Sequence, residues 1–217
     1  MTLEIPLNKK HIVIEGPIGV GKSSLCRKIV EHCGGYLYLE KPAENPFLAS
    51  FYKRKEQFAL ATQLFFLMQR LEQREELKSL ETTGVVNQVV ADFMIEKDPL
   101  FAELILSGDE LSLYRKVFDR VCVQKTKPDL VVFLQAPVDV LKKRIKNRDI
   151  KFELKIEKNY LESLSAAYTK FFHEYIDAPL LIVNAAEFNP IDNQVHLNAL
   201  LEEINSVQAG KHFFNPM

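Results

Sequence analysis

Gly16-Pro17-Ile18-Gly19-Val20-Gly21-Lys22-Ser23 follows the apolar run His11-Ile12-Val13-Ile14, with Glu15 joining the two. A glycine, four variable residues and then Gly-Lys-Ser is the pattern of a phosphate-binding loop. A triphosphate needs a concave ring of donors. Gly16, Gly19 and Gly21 let the backbone turn tightly and bring bare N–H groups to phosphate oxygens. Lys22 supplies a point charge at the β and γ phosphates, and the Ser23 hydroxyl suits a Mg²⁺ position. A helix starting near Gly21 adds its positive end, so Gly16 to Ser23 together with Ser24 form the candidate ATP site. The predicted strand before the loop and the amphipathic helix Ser24 to His32 after it give the motif its proper context.

The 217 residues suffice for one sizeable core, and no Pro-, Gly- or Ser-rich linker interrupts them. One domain over 1–217 is expected, with terminal extensions at 1–10 and 210–217. Lysine and arginine number 28 against 29 acidic residues, so the overall field gives no reason to expect a nucleic-acid or membrane partner. Cys26, Cys33 and Cys122 lack metal-ligand spacing and read as reduced, largely buried thiols. The first ten residues have no apolar stretch of signal-peptide length and no run spans a bilayer, which makes the cytoplasm the expected setting.

Short β-rich runs alternate with helical patterns: His11 to Glu15, Tyr36 to Glu40, Val85 to Ala91, Leu130 to Gln135 and Leu180 to Asn184. Nearly continuous apolar strands separated by helices must cross over and be covered on both faces. The expectation is a three-layer α/β/α fold of the P-loop NTPase type, with a five-stranded parallel sheet and a helical lid. Glu56 to Leu80 reads as one long helix, with Leu60, Leu64, Leu67, Leu71 and Leu77 near helical spacing. A second long helix is expected over Asp109 to Gln124, capped by Asp109. Others are expected to open at Pro137, to include Leu161 to Phe172, and to cover about Pro190 to Val207 with Asn189 as cap.

A phosphate loop does not separate a kinase from a GTPase or a motor, so the acceptor side decides. Here the chain resembles the deoxynucleoside kinase family, particularly its bacterial branch, from Ile12 to about Ile204. The segments that carry the resemblance are IEGPIGVGKSSL, LEKPAENPFL, FALATQLFFLMQR, VVADFMIEKDPLFA, PDLVVFLQAPVDVLKKRIKNR and IKFELKIEKNYLESLSAAY. Their order and spacing make the match specific.

The resemblance implies transfer of the γ-phosphoryl of ATP to the 5′-hydroxyl of a deoxynucleoside in nucleotide salvage, with Glu40 as the general base. Glu44 is the rival carboxylate, expected instead to brace the Asn45-Pro46 turn. Gln63 and Arg70, seven residues apart, share a helix face, and the family uses this pair at the nucleobase edge. Asp98 matches the position that works with the arginine, and an ionised Asp there favours a base with an exocyclic amino group. Adenine, cytosine and guanine are therefore favoured over thymine, and the expected acceptors are purine deoxynucleosides first, with deoxycytidine next. Tyr52 and Glu153 match the pair that grips the 3′-hydroxyl, and Phe66 and Phe93 are candidates to sandwich the base. Arg144 and Arg148, within a basic cluster that runs to Lys151, match the lid that closes over the triphosphate. Asp92 matches the acidic residue near Mg²⁺, and Asn184 to Phe188 resembles the loop around the adenine of ATP. The family also implies a homodimer through the two long helices.

Two departures stand out. Animal members carry Glu-Arg-Ser where this chain has Asp92-Phe93-Met94, so an arginine near the 5′-hydroxyl is missing. Ile150 occupies a position where the lid usually has a further arginine. Two other readings therefore stand beside the first: a kinase of nucleoside monophosphates of the thymidylate kinase type, and a nucleotide-binding regulatory protein with little turnover. Intact Lys22, Ser23, Glu40 and Asp92 argue against the latter.

Overall fold

The pentapeptide His11–Glu15 forms β1, and its alternation organises everything around it. In the computed structural model, which describes residues 5–122 and 127–215, Ile12 and Ile14 face one layer of helices and Val13 faces the other. Period-two alternation puts Glu15 on the same face as Val13, which becomes important below.

The chain runs β1, α1 (Lys22–Cys33), β2 (Tyr36–Tyr38), α2 (Leu48–Phe51), α3 (Lys55–Thr82), β3 (Val89–Ala91), α4 (Asp98–Ile105) and α5 (Gly108–Val121). It continues through β4 (Leu130–Gln135), α6 (Val138–Arg148), α7 (Lys158–Glu174), β5 (Leu180–Asn184), α8 (Gln194–Ser206) and β6 (Lys211–Phe214). The sheet order is β2-β3-β1-β4-β5-β6, with every neighbouring pair parallel. β1 thus lies between β3 and β4, where the chain changes its direction of travel across the sheet. In open α/β sheets that switch point, at the carboxyl ends of the strands, is where ligands bind.

Each sheet face has its own core. On one, Ile12, Ile14, Val132, Leu134, Leu181 and Val183 pack against Leu25 and Ile29 of α1 and Leu197, Leu200, Leu201 and Ile204 of α8. On the other, Val13, Val131 and Phe133 meet Leu161, Leu164, Tyr168 and Phe172 of α7, with the Phe133 and Phe172 rings 4.4 Å apart. A third cluster joins α2, α3, α4 and α5 beside the sheet through Leu48, Phe51, Leu67, Ala102 and Tyr114. Burying these apolar side chains stabilises by roughly 1.5–3 kcal/mol each, which is what holds three such layers together.

The sheet has six strands rather than five. Lys211–Phe214, expected as part of a terminal extension, pairs with β5 in the register Leu180↔Lys211 to Val183↔Phe214. Four residues at the edge, with Phe213 exposed, leave almost no strand signature in sequence. Strand ends also shift. β2 stops at Tyr38 because the Glu40 N–H donates to the Asp92 side chain, at 2.7 Å, instead of to a ladder carbonyl. β3 begins at Val89, since Val85 is taken up in the turn after α3, where its N–H donates to Leu80 O at 3.1 Å.

Two caps also differ from expectation. Asn193, not Asn189, caps α8, accepting from the N–H groups of Val195 and His196 at 2.9 and 3.3 Å. Asn189 instead accepts from Asp192 N in the preceding turn. Ser107 precedes α5, leaving Asp109 and Glu110 in its first turn, where negative charge complements the helix dipole. The expected end of that helix at Val123 and Gln124 lies outside the described residues.

The loop after β1 is confined by β4. A Cβ built on Gly16, at φ +147°, would lie 2.5 Å from the Leu134 carbonyl oxygen, whereas one on Gly21, at φ +108°, would meet nothing within 4 Å. Gly21→Ala is expected to cost the left-handed backbone penalty alone, about 1–2 kcal/mol. Gly16→Ala must also push the loop off β4, so urea unfolding is expected to show a clearly larger loss. Equal losses would show that the β4 backbone does not confine the loop.

Candidate active site

Buried polar side chains gather beyond the carboxyl ends of β1, β2 and β3. Glu15, Gln63, Arg70, Asp92, Lys97, Asp98 and Glu153 are all under a tenth exposed. Ionisable groups are rarely this buried unless paired, so their concentration marks a built site.

The phosphate loop is the first part. Gly21 precedes α1 in a left-handed conformation, and the first N–H groups of that helix have no intrahelical carbonyl to bond. Lys22 lies inside the loop, its Nζ donating to Gly16 O at 2.7 Å and Pro17 O at 3.4 Å. Burial lowers the Lys22 pKa, and the neighbouring charge of Lys97 lowers it further. The Ser23 hydroxyl donates to Asp92 Oδ2, and Asp92 Oδ1 accepts from Glu40 N. One carboxylate therefore ties the first turn of α1 to the exit of β2.

Glu40 is the centre of the second part. Among the described residues, the hydrogen bonds and ion pairs of its side chain fall on Oε1, from Arg70 Nε at 2.8 Å, Arg70 Nη2 at 2.5 Å and Lys97 Nζ at 3.7 Å. Oε2 remains to accept a hydrogen bond. Burial alone would raise the Glu40 pKa, but Arg70, then Lys97 and Lys22, more than offset it and hold the carboxyl at about 2. Glu44 lies apart in the turn Pro42–Glu44, where its side chain accepts from Gln69 Nε2 of α3 at 3.1 Å.

Arg70 continues the chain of charges. Its Nη1 pairs with Asp98 Oδ2, and Asp98 Oδ1 accepts from Gln63 Nε2 at 2.7 Å and from the Tyr114 hydroxyl at 2.6 Å. Gln63 Nε2 also donates to the Asp98 carbonyl at 3.2 Å. An amide facing two acceptors must present its NH₂ to them, which leaves Gln63 Oε1 for any ligand. Arg70 also lies over the Phe66 ring at 5.2 Å.

Glu40, Gln63 and Arg70 line one cleft with Tyr52, Phe66, Phe101, Phe152 and Tyr160, while Asp98 and Tyr114 are fully buried and do not reach it. Tyr52 stacks on Phe152 at 6.1 Å and 9°, beside Glu153, which accepts from Arg148. Phe93 is absent from this cleft. It packs against Tyr38 at 5.6 Å, whereas Phe101, which follows Pro99 and Leu100 on α4, lines the cleft.

A second cleft opens on the other side of the loop, lined by Gly19, Gly21, Ser24, Arg144, Ala185 and Phe188. Arg144 spans it, with Nη1 donating to Val20 O at 3.0 Å and Nη2 to Ala185 O at 2.8 Å. Part of the Asn184 to Phe188 segment thus flanks the phosphate loop. Arg148 lines both clefts. Ile150 lies in the turn after α6, where its carbonyl accepts from the Glu153 and Leu154 N–H groups; that turn carries Glu153 into the first cleft.

Sequence reasoning missed Glu15, Lys97 and Tyr114. Glu15 accepts from Gly16 N and Met94 N at 3.1 Å each, from the Tyr168 hydroxyl at 3.2 Å, and from Lys97 Nζ at 3.1 Å. Its signal was visible: a carboxylate ending an otherwise apolar strand on the face that α7 covers. Tyr114, on α5, gave none.

A triphosphate loop facing an ionised, oriented carboxylate, with a hydrogen-bonding pocket beyond it, defines a phosphotransferase acting on a small hydroxylic acceptor. A family model of deoxynucleoside kinases matches residues 12–208. The chain belongs to the deoxynucleoside kinase family, enzymes that move a phosphoryl group from ATP to a deoxynucleoside. Among curated relatives, it is 34% identical to a deoxyguanosine kinase of Bacillus subtilis over 157 residues, which cover 72% of this chain and 75% of that one. It is 26% identical to a deoxyadenosine kinase of Lactobacillus acidophilus over 208 residues, covering 89% and 94%. Among solved structures, deoxyadenosine kinase from M. mycoides with bound dATP shares the fold. It has a TM-score of 0.75 at 24% identity, over 90% of this chain and 99% of that one.

The Glu40 pKa has a consequence for stability. Because about 2 lies below the ordinary 4.5, the ionised group stabilises the fold above pH 4.5, and that contribution is lost as the pH falls through about 2. The gap corresponds to about 3 kcal/mol. Glu40→Gln is therefore expected to show a flatter loss of urea stability on acidification than the unaltered chain. Parallel acid profiles would show that Glu40 is not held low.

Proposed function

We propose that this enzyme phosphorylates the 5′-hydroxyl of purine deoxynucleosides first and of deoxycytidine next, in nucleotide salvage, with Glu40 as the base and Lys22, Arg144 and Arg148 as charge stabilisers. The observation that carries the reading is that Glu40 lines a single cleft together with Lys22 and Ser23 of the phosphate loop and with Gln63, which the buried Asp98 holds.

A general base normally has a pKa near the working pH, and Glu40 lies far below that. Phosphoryl transfer passes through a loose transition state that needs positioning more than deprotonation. Glu40 Oε2 suits that role by accepting from the 5′-hydroxyl and fixing its lone pair toward the γ-phosphorus. The proton need move only late in the transfer. An ionised carboxylate here would repel a monophosphate acceptor, which disfavours the thymidylate kinase reading. Lys22 at the loop and Arg148 at the lid flank the migrating group, and fixed charges there stabilise the transition state without reorganisation.

The base preference rests on Gln63, whose free oxygen is an acceptor. Adenine and cytosine offer an exocyclic amino group, and guanine offers donors of its own. Thymine offers one N–H between two carbonyl oxygens. Tyr52 and Glu153, both lining the cleft, are assigned to the 3′-hydroxyl.

Mg²⁺ fits the donor set. Ser23 Oγ and Asp92 are hard oxygen donors in contact beside the loop, and this ion is usually held by one or two carboxylates plus substrate phosphates. The ion would neutralise phosphate charge, with Ser23 and Asp92 holding it.

A homodimer through α3 and α5 and a cytoplasmic setting complete the proposal. Met68 and Leu113 are exposed on these helices. Light scattering is expected to give twice the 25.0 kDa chain mass. A monomer at micromolar concentration overturns that part alone.

The decisive assay is ATP-dependent phosphorylation across the four deoxynucleosides and their monophosphates. Deoxyadenosine, deoxyguanosine or deoxycytidine is expected to turn over well ahead of thymidine, and turnover of monophosphates only would sink the proposal. Glu40→Gln is expected to keep ATP affinity while kcat falls by about 10²–10⁴-fold, the usual range for a positioned proton acceptor.

A further inference from the structure

Lys97 ends the turn Ile95–Lys97 between β3 and α4, and it is 2% exposed. Removing an ammonium from water is costly, and an apolar side chain would fill such a site more cheaply unless the charge has a task. Its neighbours define that task. Nζ lies 3.1 Å from Glu15 Oε1 and 3.7 Å from Glu40 Oε1.

The two carboxylates are held very differently. Glu15 is held by donors on both oxygens: Oε2 accepts from Gly16 N and Tyr168, Oε1 from Met94 N and Lys97. It is a fixed anchor, and its backbone donor Gly16 is the first residue of the phosphate loop. Glu40 is held on one oxygen only. Arg70 grips that oxygen from α3, and Lys97 approaches it from the β3–α4 turn. Two cations on one oxygen fix the rotation of the carboxyl group, and with it the direction of Oε2. Lys97 also lines the cleft beside Lys22, Ser23 and Asp92.

We propose that Lys97 is a positioning residue for phosphoryl transfer, bridging the Glu15 anchor to Glu40 so that the acceptor oxygen is aligned with the phosphate loop. It supplies cationic charge near the 5′-hydroxyl in a chain whose Asp92-Phe93-Met94 segment has no arginine to do so. The proposal rests on the assignment of Glu40 to the nucleophile.

The alternative is that Lys97 merely neutralises Glu15. Kinetics and stability of Lys97→Met, Lys97→Arg and the double variant Glu15→Gln/Lys97→Met separate the two. The unaltered enzyme is assayed first, since absence of deoxynucleoside phosphorylation there would overturn the functional reading rather than this one. Lys97→Met is expected to lower kcat at least tenfold, with KM for ATP within about twofold, and Lys97→Arg to recover part of kcat. The double variant removes a buried anion with its cation, so it is expected to regain stability lost in Lys97→Met without regaining kcat. It carries the same prediction if Lys97→Met fails to fold. Recovery of kcat together with stability in the double variant, or a kcat for Lys97→Met within twofold of the unaltered enzyme, overturns the proposal.

Discussion

One run of buried charges, Glu15–Lys97–Glu40–Arg70–Asp98, links the start of the phosphate loop to the pocket beyond it. Three anions alternate with two cations, and none of the five side chains is more than a fifth exposed. Each member comes from a different element: the end of β1, the β3–α4 turn, the exit of β2, the middle of α3 and the start of α4. The run therefore fixes where five segments sit relative to one another. Buried ion pairs are weak evidence for net stability, because desolvation offsets much of their attraction. Breaking one, however, leaves an uncompensated charge and costs about 3–5 kcal/mol. What such a run secures here is geometry, and phosphoryl transfer is the kind of chemistry that depends on it.

The parallel sheet, the loop and its helix were legible in sequence because each rests on local rules. Apolar runs such as Leu130 to Gln135 must be covered on both faces, and the glycines at the loop are required by backbone angles. Gln63 and Arg70 were legible as one helix face. β6 was not, since four half-exposed residues at an edge depend on β5 being there already. Asn193 and Asn189 are equally good caps by type, and only the packing of α8 chooses between them.

The site was legible wherever residues recur in a known order, and obscure wherever its function comes from contacts across the sheet. Phe93 lies next to Asp92, but the strand alternation that sends Asp92 toward Ser23 sends Phe93 to Tyr38. Lys97 adjoins Asp98 in a segment that reads as a helix start, and nothing local announces that its ammonium turns back toward Glu15. Tyr114 is a core aromatic by every sequence rule, and its hydroxyl matters only because Asp98 is there to accept it.

Arg148 lines the clefts on both sides of the phosphate loop and is paired with Glu153 in one of them. A single guanidinium bordering both compartments gives them one charge in common, held on one side by Glu153. A ligand that drew Arg148 away from Glu153 and so changed affinity in the far cleft would meet the same effect in reverse, since coupling between sites is reciprocal.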